Sequence, residues 1–268
     1  MSGPRDDDGP LAGSDPTGRF SDRAADYVRF RPDYPAAAIA AVLAGLHEPV
    51  RAADVGAGTG ISARALASRG ARVVAIEPNA AMRAAAAPHA GVTWREGAAE
   101  ATGLPGASLD LVLCAQAFHW FHVRESLAEF ARVLVPGGRL ALLWNSRDHA
   151  DPLTLGYIEA IHAVGGEHAA ERRFSGPGEL EDALAIEPRF ALEDRLEFPH
   201  AQALDRTGLL GRATSASYVP RGGPELARLA ESLAMLHAAH ADANGLVHMR
   251  YVTRLWRYRR GADVAARG

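Results

Sequence analysis

One cysteine in 268 residues, Cys114, excludes an internal disulfide framework and suits a reducing compartment. It sits in the apolar run Leu109-Asp110-Leu111-Val112-Leu113-Cys114, where a buried, inert thiol is expected rather than a nucleophile. No stretch is apolar for long enough to span a bilayer, and the start shows no signal-peptide pattern, so the cytoplasm is the expected location. Strong charge of one sign is also missing. The formal net charge is -3, which gives no electrostatic case for nucleic acid or an anionic membrane as a partner. Basic residues concentrate in one place only: Arg250, Arg254, Arg257, Arg259 and Arg260 alternate along a segment that reads as a solvated strand face. The histidines are scattered, His162 with His168 and His237 with His240 lack a third ligand, and no metal site is expected. There is no G-x-S-x-G elbow for a hydrolase and no Gly-Lys-Ser/Thr for a P-loop.

What is present is an ordinary globular composition, 48% hydrophobic and 23% charged, with a pattern that changes along the chain. Residues 1–18, rich in Gly, Pro, Asp and Ser, read as a disordered tail. Two helical stretches follow, Ala24–Phe30 and Ala36–Leu46, split by Arg31-Pro32-Asp33-Tyr34-Pro35. Strand-like runs (Ala52–Val55, Arg72–Ile76, Val92–Trp94, Leu109–Cys114, Arg139–Trp144) then alternate with helical ones (Ile61–Ser68, Ala80–Ala87, Val123–Leu134). Pro136-Gly137-Gly138 is expected to close the last of these helices. Such alternation predicts a doubly wound α/β sheet, mostly parallel, over residues 50–150. From 151 to 268 the order loosens. Helices are expected at Leu153–Val164 and Glu225–Ala239, and period-two strands at Phe190–Phe198 and His248–Tyr258.

The most informative segment is Asp54-Val55-Gly56-Ala57-Gly58-Thr59-Gly60, between a buried strand and a helix. Three alternate glycines let the chain reverse and let a ligand approach bare backbone. Glu77, at the tip of the neighbouring strand, stands where a ribose diol is held in dinucleotide-type folds. An adenosine-containing ligand is therefore expected over the carboxyl ends of the sheet. The spacing is G-x-G-x-G, with Ile61 where a nicotinamide fingerprint needs its third glycine.

Asp54 to Gly60 resembles the first motif of the class I S-adenosylmethionine-dependent methyltransferases, and Arg72 to Asn79 resembles the second. The resemblance implies S-adenosylmethionine as cofactor and S-adenosylhomocysteine as product. It implies a Rossmann-like sheet with an antiparallel C-terminal strand, residues 19–49 as a helical lid, and a helical cap within 151–268. Asp54, Gly56, Ala57, Gly58 and Gly60 would cradle the cofactor, Glu77 and Pro78 its ribose, and Met82 its adenine. Glu96-Gly97-Ala98-Ala99-Glu100 resembles the loop that flanks the adenine. Where relatives place a polar adenine contact this chain has Ala98 and Ala99, which leaves Glu100 or backbone for that bond.

Ala117-Phe118-His119-Trp120-Phe121 and the pattern Tyr27-x-x-x-Arg31-Pro32-x-Tyr34-Pro35 resemble a narrower set of small-molecule enzymes related to trans-aconitate methyltransferase. That likeness implies Tyr27 and Arg31 near the cofactor and Gln116 to Trp120 facing the transferred methyl group. His119 is the candidate base or carboxylate holder. Trp120, Trp144, Asn145, Ser217 and Tyr218 are candidate acceptor contacts. The expected reaction is in-line methyl transfer to an oxygen of a small molecule, either carboxylate or hydroxyl, with nitrogen and carbon as lesser choices. A silent S-adenosylmethionine-binding regulator and an NAD(P)-dependent oxidoreductase are the rival readings.

Overall fold

The computed structural model describes residues 24–164, 184, 187–216 and 219–261. The expected tail at 1–18 and the candidates Ser217 and Tyr218 lie outside the described residues. Seven strands form one sheet: β1 (Arg51–Val55), β2 (Arg72–Ile76), β3 (Val92–Arg95), β4 (Leu109–Ala115), β5 (Leu134–Arg147), β6 (Phe190–Leu204) and β7 (Val247–Arg260). Their order is β3-β2-β1-β4-β5-β7-β6. The first five are parallel, and β7 enters antiparallel between β5 and β6. The strand order reverses between β1 and β4, the switch point outside whose carboxyl ends such sheets bind ligands.

Parallel strands must be covered on both faces, and alternate side chains of one strand go to opposite cores. In β4, Val112 and Cys114 join the core under helix α5 (Val123–Val133), whereas Leu111, Leu113 and Ala115 join the core under α2 (Ala36–Leu43) and α3 (Ile61–Ala67). A third core lies in the cap, where α6 (Pro152–Val164), α7 (Arg206–Thr214) and α8 (Gly223–His240) meet the start of β7 through Tyr157, Leu209, Leu229, Leu233 and Met249. The lid helix α1 (Ala24–Phe30) docks on this cap. A Cβ at Gly211 of α7 would lie 2.4 Å from the Phe30 ring, so only glycine admits that contact.

Three boundaries differ from the sequence expectation. Pro136-Gly137-Gly138 does not close a helix but lies inside β5. Leu109 pairs with Leu134 and Leu111 with Arg139, so the extra residues bulge out within the strand. β6 continues through Pro199 to Leu204, which an edge strand permits because proline removes a donor only from one side. α2 stops at Leu43, where Arg139 donates to the Val42 and Ala44 carbonyls (3.0 and 2.8 Å) and Arg257 to that of Ala41 (2.8 Å). Those guanidiniums are themselves held by Glu193 and Asp194 of β6, and Arg254 by Glu197. Arg254, Arg257 and Arg259 of β7 thus belong to a cross-strand ion ladder with β6 rather than to a simply solvated face, whereas Arg250 pairs with Asp151.

Candidate active site

Gly56, Gly58 and Gly60 all take left-handed backbone, with φ of 69°, 58° and 78°. This turn is tied to the next strand, because the Gly56 and Ala57 amides both donate to the Ile76 carbonyl (2.9 and 3.0 Å). Gly56 is needed for packing, since a Cβ there would sit 2.6 Å from the Cβ of Ala117. Gly58 is different: its nearest neighbours would be the Met82 methyl at 3.4 Å and the Tyr27 ring at 3.9 Å, which is ordinary contact. What calls for glycine at 58 is its left-handed backbone rather than crowding.

Glu77 reaches the same turn. Its carboxylate accepts from the Gly58 amide and from the Asn79 amide, each at 2.9 Å, and burial pushes its pKa up despite those bonds. Arg83 clamps the strand tip by donating to the Glu77 and Pro78 carbonyls (2.6 and 2.9 Å). Asn79 caps the short helix α4 (Ala80–Ala84) and fixes Met82. Asp54 is fully buried, accepts from the Ser62 hydroxyl at 2.6 Å, and has its pKa raised to about 7 by burial.

Tyr27, Arg31, Gly56, Ala57, Gln116 and Asn145 line one cleft over the switch point, joined by Pro32, Tyr34, Ile61, Ser62 and Ala115. Arg31 stacks its guanidinium 4.6 Å from the Tyr27 ring centre and donates to the carbonyl of Ser215, just past α7, at 3.2 Å. Gln116 is held at φ 57°, a conformation that costs a residue with a side chain of order 1 kcal/mol or more. The strain aims its amide over the cleft. Sequence reasoning missed Ser62 as a site residue; its place, two residues into the helix that follows the glycines, was the available signal.

Other candidates stand elsewhere. Ala98 pairs with Ala101 in a tight turn and Ala99 is buried. Glu100 accepts from the His122 amide at 2.9 Å and the Ser126 hydroxyl at 3.3 Å, so this carboxylate serves the start of α5. The His119 ring lies 5.0 Å from Trp120 and 5.9 Å from Trp144, centre to centre. Burial, with the Arg31 charge adding to it, lowers the His119 pKa to about 3. Asn145 is already engaged on both sides of its amide, as developed below.

The residues fit an adenosyl sulfonium amino acid. Gln116 Oε1 in the cleft, and Asp54 Oδ1 and Thr59 Oγ1 at and before the glycine turn, are buried with no hydrogen-bond partner among the described residues. All three can accept from a ligand's ammonium or hydroxyl groups. No cluster of three or more potential metal ligands occurs among the described residues, and no described helix is long and apolar enough to cross a membrane.

A sheet of this order with a glycine turn and an acid at the next strand tip defines a nucleoside-binding Rossmann-like enzyme. Comparison with known proteins narrows it. A methyltransferase domain family matches residues 53–142. An uncharacterized methyltransferase of Mycobacterium tuberculosis is 34% identical over 242 residues, covering 87% of this chain and 92% of the relative. A demethylmenaquinone methyltransferase of Deinococcus radiodurans is 32% identical over 191 residues, 67% of this chain and 76% of its own. Among solved structures, a candidate type II methyltransferase from Anaeromyxobacter dehalogenans superposes with a TM-score of 0.61 at 25% identity, over 87% of this chain and 97% of that one. The chain belongs to the class I S-adenosylmethionine-dependent methyltransferases. The oxidoreductase reading is set aside with that assignment.

Proposed function

We propose that this methyltransferase acts on a small-molecule acceptor, at an oxygen and foremost at a carboxylate, without a metal and in the cytoplasm. The roofed cleft carries this reading. α1 and the Arg31–Pro35 strap lie across the strand tips, held by Gln202 donating to the Phe30 carbonyl (2.9 Å) and Arg31 to the Ser215 carbonyl. Such a roof suits a compact acceptor better than a folded macromolecule.

S-adenosylmethionine, when bound, supplies a methyl group on a cationic sulfur that is already a good leaving group. The chain's own work is then to bind, orient and exclude water, and orientation can lower a barrier by about 7–11 kcal/mol at best. Glu77 would hold the ribose, the glycine turn and Met82 the nucleoside, and Asp54, Gln116 and Arg31 the amino-acid end. His119 is neutral across physiological pH at a pKa of about 3. That is too weakly basic to draw a proton from an alcohol, but it suits a hydrogen-bonding wall beside Trp120 and Trp144. A carboxylate acceptor needs no base, which is why it leads the hydroxyl here.

Incubation with methyl-labelled S-adenosylmethionine and a size-fractionated host extract tests the reading. Label in a small, base-labile ester is expected. Label in macromolecules, or only in alkali-stable small products, would reject the carboxylate assignment. No label in any fraction would favour the silent binder.

A further inference from the structure

Asn145 sits near the end of β5, beside the cleft, with its side chain buried. Its Nδ2 donates to the Asp33 carbonyl of the strap at 2.8 Å. Its Oδ1 accepts from the Thr253 hydroxyl of β7 at 2.6 Å, and Thr253 is completely buried. Its backbone carbonyl accepts from Gln116 Nε2 at 3.4 Å. One residue therefore joins the strap, the tip of β4 and the inserted strand β7.

The strap is stiff, so a tether at its middle acts on both of its flanks. Pro32 and Pro35 fix their own φ, and each restricts the residue before it to extended backbone. Those preceding residues are Arg31 and Tyr34, and both line the cleft. Asp33, between them, is the residue whose carbonyl Asn145 holds. The Asp33 carbonyl can only accept, so Nδ2 must face the strap, and the Thr253 hydroxyl then donates to Oδ1 and holds the amide in that sense. The same residue, through its main chain, turns the Gln116 amide so that Oε1 is left buried and unpaired, open to a ligand donor.

We propose that Asn145 is a positioning residue for cofactor capture: oriented by Thr253, it sets the Arg31–Tyr34 strap and the Gln116 amide rather than touching the acceptor. The proposal rests on the assignment of the cleft to S-adenosylmethionine and goes beyond it. It also predicts that the role is carried by hydrogen-bond direction and not by volume.

Asn145→Asp changes little but direction. It keeps the acceptor for Thr253 and puts an oxygen opposite the Asp33 carbonyl. Titration calorimetry with S-adenosylhomocysteine should show affinity about tenfold weaker, the loss of roughly one hydrogen bond. Hydrogen exchange in peptides covering 31–35 should no longer slow on adding that ligand. Thr253→Val, remote from the cleft, should weaken binding in the same sense, and Thr253→Ser should restore it to within about twofold. That restoration separates an oriented amide from mere packing, and it also carries the test should Asn145→Asp fail to fold. Wild-type affinity and wild-type strap protection in Asn145→Asp would overturn the proposal, as would a Thr253→Ser variant as weak as Thr253→Val. Failure of the wild-type chain itself to bind S-adenosylhomocysteine would overturn the cleft assignment, and this proposal with it.

Discussion

Asp54 shows how much a single buried group can govern. Its carboxyl is raised from 3.8 to about 7, chiefly by burial. Between those values the folded chain keeps a proton that the unfolded chain has released. The stability this contributes is whole below about pH 4 and is lost as pH rises through about 7. Asp54→Asn should remove the dependence. Relative to wild type the variant should gain stability from acid to mildly alkaline buffer, by up to about 4 kcal/mol at 1.36 kcal/mol per pH unit. Urea unfolding of both proteins at pH 5 and pH 8 checks this, and parallel profiles would defeat it. At this scale the sequence was informative where partners are close along the chain. Asp54 meets Ser62 eight residues on and Glu77 meets Gly58 across nineteen, both inside one β-α-β unit. Asn145 was legible as a cleft residue but not in its role, because Asp33 and Thr253 lie 112 and 108 positions away.

Among elements, α5 has its start supplied from outside. Its N-cap residue His122 makes no side-chain capping bond, and Glu100 from the loop after β3 satisfies it instead. Farther along, Glu129 accepts from the Thr102 amide and hydroxyl (2.9 and 2.5 Å) and from Arg132 (2.7 Å), binding the same loop to the helix. The loop that resembles an adenine-flanking segment is thus fixed at both ends to the helix that follows His119 and Trp120. Glu100→Ala should cost about 1 kcal/mol, the worth of a helix cap, and Glu100→Gln should recover much of it by still accepting. Thermal melts of the two variants read the difference; equal losses would argue against capping. Strand positions were legible here because parallel strands are continuous apolar runs. Their ends were not, since the bulge in β5 depends on how far β4 reaches, and α7 was missed although Asp205 caps it by accepting from the Gly208 amide at 2.6 Å.

At the level of the whole molecule, α1, the strap and the strand tips line one cleft, so a ligand bound there should stabilise them together. S-adenosylhomocysteine at about a hundred times its Kd should add about 2.7 kcal/mol of stability. For a chain of this size that is a rise in Tm of roughly 5–10 °C. NAD at equal concentration should give none. A shift with NAD alone would return the glycine turn to the redox dinucleotides. The parallel half of this architecture was readable from alternating helices and strands. Of the cap, the helices α6 and α8 were readable and α7 was not, nor was the way they pack, because that core gathers residues from α6, α7, α8 and β7 that lie far apart in the chain.

The insertion of β7 between β5 and β6 sets a timetable for biosynthesis. β5 emerges from the ribosome with one edge vacant, and Thr253 follows Asn145 by 108 residues. At about 5–20 residues per second the nascent chain waits roughly 5–20 s before that edge can be filled. Until then Asn145 lacks its Thr253 partner and an unpaired strand edge lies open to chaperones or to neighbouring nascent chains. Competence to hold the methyl donor therefore comes only once β7 has been made.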